Sequence, residues 1–353
     1  MPTTSRVPAR RGSVRRVRHF LQDGLQVDRA LFEAWRCRSG GSVTPTSRLL
    51  NATAEEVVAA LIELRRHHPS WGAKKLLKIL KGRHPRWKLP GRSACCLILH
   101  RHGLIRRKTR RRVIGHPGKP SSVILGPNHI WCADFKGQFR MGNGRYCYPL
   151  TVTDAHSRFL LGCHGLTSTA VEGAKPVFSR LFQEYGLPQL IRTDNGVPFA
   201  TNTLARLSRL SAWWIRLGVM PQLIEPSSPQ QNGRHERMHR TLKAETTRPP
   251  AAAMRSQQVK FDRFRQEFNH ERPHEALDQE VPASVYRPST RSMPSKLPPI
   301  EYPDRFEVRY VSANGGIRWN SRWVNVSITC IGEYVGLEEI DDGSGMCTLV
   351  RCV

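Results

Sequence analysis

The sequence predicts an α/β protein, with a central mixed domain preceded by a small all-α unit and followed by a small β-barrel. Three observations carry that expectation. Short helix-spaced stretches follow Thr53, strand-like and helix-spaced runs alternate after Gly126-Pro127, and apolar residues alternate with polar ones beyond a proline-rich stretch. A length of 353 residues suits two or three domains, and the pattern divides into three.

Residues 1–50 read as a basic N-terminal arm of degenerate pattern, since Arg10, Arg11, Arg15, Arg16 and Arg18 crowd together without a clear period. Residues 51–112 read as a helix-turn-helix unit with a basic linker. Thr53-Ala54-Glu55-Glu56 is a capping box that opens a first helix. A second helix is expected over Gly72–Leu80 and a third over Ser93–His102, closed by Gly103. The third is the one suited to a major groove, with Arg92 and Ser93 at its start aimed at base edges and Arg101 at phosphate. Arg106 and Arg107 open a run with six charges in seven residues, which reads as a linker that tracks a DNA backbone.

The central domain is expected over 126–286. Ile130–Phe135, Tyr146–Thr153 and Arg158–Cys163 read as a three-strand meander. A helix over Thr169–Tyr185 contains Pro176, followed by a strand over Leu187–Thr193, a helix over Thr203–Leu217 and a strand over Val219–Ile224. A basic helix containing Glu236 and another over Gln257–Asn269 complete it. Residues 287–304 form a proline-rich linker and 305–353 the C-terminal β unit.

Composition narrows the class of function. Lys and Arg number 56 against 28 acids, and this excess points to a polyanionic partner, above all nucleic acid. The excess is concentrated: residues 1–126 hold 28 basic and 6 acidic residues, so the remainder keeps enough carboxylates to build an acidic site. Nine cysteines without a C-x-x-C pair read as reduced thiols. The absence of a long apolar run or a secretory h-region predicts a cytoplasmic protein with no membrane partner.

Cutting and joining DNA with two divalent metals requires carboxylates from several elements, because Mg²⁺ is a hard ion that takes oxygen ligands. Asp134 lies mid-strand on the face opposite Trp131, Ala133 and Phe135, where a lone acid is costly. Asp194 ends a strand before Asn195-Gly196, residues expected to shape the following loop. Glu236 lies on a helix after the loop residues Gln231, Asn232 and Gly233. That helix also reads His235-Glu236-Arg237-Met238-His239, the H-E-x-x-H zinc-protease pattern. Its Arg234, Arg237, Arg240 and Lys243 instead suit a phosphate backbone, and His235 and His239 are expected on DNA or the helix surface. Trp213 and Trp214 are expected in the core.

"WCADFKG", "IRTDNGVPF" and "PSSPQQNGRHERMHRTLK" together closely resemble the three catalytic motifs of insertion-sequence DDE transposases with a retroviral-integrase-type core of the RNase H-like fold. The resemblance runs from about Ala52 to Asp342, with 41 residues between Asp194 and Glu236, slightly more than the retroviral spacing. It implies that Asp134, Asp194 and Glu236 are catalytic and hold Mg²⁺, with Mn²⁺ able to substitute. It further implies hydrolysis of element ends, strand transfer by the exposed 3′-hydroxyl, double-stranded terminal-repeat and target DNA as partners, homo-oligomeric assembly and a bacterial, nucleoid-associated location. Two rival readings share these residues. One is a truncated copy acting as a DNA-binding competitor or repressor, suggested by the unusual ends at residues 1–50 and "SGMCTLVRCV"; the other is an RNase H-like nuclease without strand transfer.

Overall fold

The computed structural model describes residues 53–105, 123–201, 206–225, 233–341 and 344–349. The arm expected over 1–50, the basic run with Arg106 and Arg107, and the loop residues Gln231 and Asn232 lie outside the described residues, as does the side chain of Arg234. The chain divides into two compact units, Met1–Val58 and Ala59–Val353. Apart from the first turn of helix α1 (Glu55–His67), every described element belongs to the second unit.

Three helices come first among the described residues: α1, α2 (Ala73–Arg83) and α3 (Arg92–Arg101). Val57 and Val58 donate to the Ala54 carbonyl, so α1 starts one residue beyond the Thr53 box. Leu61, Leu64, Trp71, Leu76, Leu80, Cys95 and Leu99 are buried at helical spacing. A fully buried side chain of this size contributes about 2 kcal/mol. The Arg65 guanidinium donates to the carbonyls of Leu104 and Trp71 and ties the ends of the set together. Arg92 and Ser93 are exposed in the first turn of α3, and Arg101 is exposed in its last. Lys74 and Lys78 of α2 pair with Glu275 and Glu280, so part of the basic exterior is engaged within the chain.

The central sheet is built from β1 (Ile130–Phe135), β2 (Phe139–Arg140), β3 (Tyr146–Asp154), β4 (Leu160–Leu166), β5 (Leu190–Thr193) and β6 (Met220–Leu223). β1, β3 and β4 form the expected antiparallel meander, while β5 pairs parallel with both β1 and β6. β4 begins at Leu160, later than the expected Arg158, because the Asp154 carboxylate accepts bonds from the Ser157 amide and hydroxyl and holds a turn. Arg158 takes a left-handed φ of 66° to leave that turn.

Helices α4 (Val171–Tyr185) and α5 (Arg209–Arg216) cover one face of the sheet, and α6 (Gly233–Thr246) and α7 (Met254–His270) cover the other. The first layer packs Trp131, Ala133, Val152, Phe178, Phe182, Trp213 and Trp214 into one core, which is where both tryptophans were expected. The second gathers Cys147, Cys163, Met238, Leu242, Phe261, Phe264 and Phe268. Pro176 lies inside α4 and removes the donor that the Glu172 carbonyl would otherwise meet. α5 starts at Arg209 because Ser208 and Ser211 cap each other reciprocally.

A short helix α8 (Pro282–Val285) and a proline-rich segment lead to the C-terminal strands. β7 (Glu307–Tyr310), β10 (Tyr334–Asp341) and β11 (Ser344–Thr348) make an antiparallel sheet, and β8 (Gly316–Trp319) and β9 (Arg322–Asn325) make a hairpin. Val311, Ile317, Cys330, Val335 and Leu337 form their common core. The cysteines of the described residues are free, as expected of reduced thiols. No helix among the described residues is long and apolar enough to cross a membrane.

Candidate metal centre

Two parallel strands bring the aspartates abreast. β1 and β5 pair with Ile130 opposite Leu190 and Cys132 opposite Arg192, so continuing that register sets Asp134 level with Asp194 at the carboxyl ends of neighbouring strands. Asp134 lies on the face opposite Trp131 and Ala133, as strand alternation predicts, and its side chain is only 19% exposed. Asp194 follows β5, where its Oδ1 accepts the Gly196 amide at 3.1 Å. Asn195 donates to the Ile224 carbonyl at 2.9 Å and pins the loop to the end of β6, the shaping role expected of it. A Cβ on Gly196 would sit 3.2 Å from an Asp194 oxygen, which favours glycine there.

Glu236 occupies the first turn of α6 and is exposed, together with Arg237, Arg240 and Lys243 along the same outer surface. The inner surface of the helix departs from expectation. His235 and His239 are buried, at 2% and 5% exposure, rather than lying on DNA or the helix surface. With Met238, Leu242 and Thr246 they form a stripe at helical spacing that packs on β3. The reason is a pair of hydroxyls that sequence reading missed. Thr151 Oγ1 lies 2.7 Å from His235 Nε2 and 2.6 Å from His239 Nε2, and Thr153 Oγ1 lies 2.9 Å from His235 Nδ1. Thr151 and Thr153 alternate with Leu150 and Val152 along a strand buried on both faces, and that alternation was the available signal.

These bonds decide against a zinc-protease site, because both ring nitrogens of His235 are engaged by threonine hydroxyls. They also make a prediction. Thr151→Val keeps the shape but removes the oxygen both imidazoles share, and should cost about 2–4 kcal/mol in urea unfolding. An unchanged midpoint contradicts the network.

Electrostatics single out Asp134. Its carboxyl is pushed up to about 7 by burial first, then by the charge of Asp194, with Glu236 adding in the same direction. Burial pushes His235 down to about 3 and His239 down to about 2, so both imidazoles are neutral and offer Asp134 no counter-charge. Among the described residues, neither Asp194 nor Glu236 is in an ion pair. Asp134, His235 and His239 gather ligand atoms within 4.8 Å of one another, and Asp194 and Glu236 act on Asp134 through their charge. Lys136 and the Phe135 amide offset only part of this, so three carboxylates from three elements share a net negative field, which a divalent cation fits and oxygen donors suit.

Two family models, each described as an integrase core domain, match residues 125–229 and 217–282. The chain therefore contains an integrase core domain over residues 125–282. The integrase core here is an enzyme core of the polynucleotidyl-transferase kind, with an RNase H-like α/β fold. Among curated relatives, the insertion element IS407 uncharacterized 31.7 kDa protein of Burkholderia multivorans is 26% identical over 242 residues, which span 65% of this chain and 80% of that protein. The Gag-Pol polyprotein of baboon endogenous virus is 30% identical over 122 residues, 35% of this chain and 7% of the polyprotein. A solved structure of the HTLV-2 integrase catalytic core domain in complex with magnesium is 14% identical and covers 46% of this chain and 99% of its own, with a TM-score of 0.37. The integrase core therefore occupies the part of the chain that contains Asp134, Asp194 and Glu236.

Proposed function

We propose that this protein is a DNA transposase in which Asp134, Asp194 and Glu236 hold two divalent metal ions, Mg²⁺ or Mn²⁺, against the ends of an insertion element. The observation that carries the proposal is the parallel register that sets Asp134 level with Asp194, where burial first and then the charges of Asp194 and Glu236 raise the Asp134 carboxyl. When bound, the metals would activate water or a 3′-hydroxyl and stabilise the departing oxygen. The chain's own side chains supply the rest. Asp134 and Asp194, fixed by parallel strands, set the spacing of the centre; Glu236, at the start of α6, completes it from the solvent side. Arg237, Arg240 and Lys243, exposed on that helix, hold the DNA backbone in register, joined by Arg234.

The helices α1 to α3 serve as a helix-turn-helix unit, with Arg92 and Ser93 on base edges and Arg101 on phosphate; Arg106 and Arg107 continue along the backbone. Residues 305–353 act as a small β-barrel domain in the same assembly. Pairing two element ends requires more than one copy, so a homo-oligomer on double-stranded terminal repeats and target DNA is the working form, in a bacterial cytoplasm at the nucleoid.

The test incubates the full chain with Mg²⁺ or Mn²⁺, labelled terminal-repeat DNA and a target plasmid. Strand-transfer product that disappears in Glu236→Gln supports the transposase. Tight DNA binding without cleavage, indifferent to Glu236→Gln, supports a competing repressor instead. Nicking without joining supports a nuclease.

A further inference from the structure

We propose that His239 supplies a nitrogen donor to the cation bound by Asp134, making this a mixed nitrogen and oxygen centre that takes Mn²⁺ in preference to Mg²⁺. The inference rests on the metal-binding reading above and adds a fourth donor to it.

The argument is an accounting of protons. Thr151 Oγ1 has three partners: the Asp134 carbonyl at 3.1 Å, His235 Nε2 at 2.7 Å and His239 Nε2 at 2.6 Å. A threonine hydroxyl has one proton and two lone pairs. The carbonyl can only accept, so it takes the hydroxyl proton. Both imidazoles must then donate their Nε2–H to the two lone pairs. His235 completes its set by accepting the Thr153 hydroxyl at Nδ1, 2.9 Å away. For His239, a neutral ring with its proton on Nε2 leaves a bare lone pair on Nδ1.

That lone pair faces a carboxylate. His239 Nδ1 lies 3.7 Å from Asp134 Oδ2, and among the described residues Nδ1 has no other partner. Two acceptors turned toward each other in a buried place repel unless a proton or a cation lies between them, and the Mn²⁺ measurement below tells the two apart. Two donors that share one ion at about 2.1 Å each stand roughly 3–4 Å apart, the separation seen here. The ring cannot swing away, because the Thr151 bond and the T-shaped contact with His235, at 4.5 Å between centroids, fix its plane. Tautomer and orientation are thus set from behind, as second-layer partners set metal-bound histidines. Mg²⁺ takes oxygen and resists nitrogen, whereas imidazole suits transition metals, so the extra donor tilts the centre toward Mn²⁺.

The experiment reads the ligand atom directly. Mn²⁺ is bound to the purified full-length protein and examined by electron spin echo envelope modulation, with Mg²⁺ competition measured in parallel. Wild-type protein should show ¹⁴N modulation, and labelling its histidines with ¹⁵N should convert the signal without any substitution. His239→Asn should lose the modulation and narrow the Mn²⁺ over Mg²⁺ preference by about tenfold or more. Bound Mn²⁺ without nitrogen modulation in the wild type overturns the inference while leaving the carboxylate centre intact. Modulation that survives in a folded His239→Asn assigns the nitrogen elsewhere and also overturns it. Absence of Mn²⁺ binding altogether removes this inference and the proposed metal centre together.

Discussion

Asp134→Asn is expected to lower strand cleavage and transfer at least about a thousandfold, while the metal-free protein becomes more stable. The two effects have one cause. The carboxyl is pushed up to about 7 by burial and by the charges of Asp194 and Glu236, against an ordinary value of 3.8, so its ionised form is held at a cost. A group whose folded value is raised contributes stability that is fully present below the unfolded value and lost as pH rises through the folded one. The cost of the aspartate is therefore nil near pH 4 and complete above about pH 7, and the neutral amide avoids it. Chemical denaturation at pH 8 in a chelator should place the variant ahead by on the order of 2–4 kcal/mol, and at pH 4 the advantage should vanish. Adding Mn²⁺ should restore the wild type and leave the variant unmoved. A variant less stable than wild type at pH 8 without metal would contradict the net cost of ionising Asp134 on which the centre rests.

Acid should unfold this protein early. Four histidines are held down mainly by burial: His164 at about 4, His235 and His274 at about 3 and His239 at about 2. The cationic neighbours of His274, Lys75 and Arg272, push it further in that direction, as Arg180 and Arg265 do for His164. Each ring stays neutral in the fold but takes up a proton in the unfolded chain below about pH 6.5. The unfolded state then binds more protons, so stability falls as pH falls through that value and continues to fall toward the folded values. Asp134 works with the opposite sign over the same range, as one group against four. The net loss between pH 7 and pH 4.5 should reach several kcal/mol, read as a falling midpoint in thermal unfolding. A midpoint that stays level across that range would mean that these rings are solvated rather than buried.

The H-E-x-x-H stretch separates what was legible from what was hidden. Its spacing placed His235 and His239 on one face of a helix, and that face was correct. The direction of the face was misjudged, because histidine counts as polar in a basic helix. The stripe of His235, Met238, His239, Leu242 and Thr246 reads as an inner surface only once two hydroxyl-bearing residues are known to lie against it. Those residues are Thr151 and Thr153, more than eighty positions away in the chain. The expected helix over Thr203–Leu217 was too long for a related reason. Its apolar spacing was visible, but the start was set by a Ser208–Ser211 cap whose reciprocal bonds no periodicity reveals.

By itself the sequence determined the alternation of strand and helix, the face on which Asp134 stands, and the presence of three acids in motifs resembling those of an integrase-type core. These are local properties, fixed by a period of two along a strand, by turn residues and by residue identity. Tertiary structure alone decided that Asp134 and Asp194 run abreast, that the charge of Glu236 reaches Asp134, and that the His239 ring faces the Asp134 carboxylate. Strand register, burial and the count of protons around one threonine join parts of the chain that have no neighbourhood in sequence, and only packing brings them close enough for charge and hydrogen bonds to act.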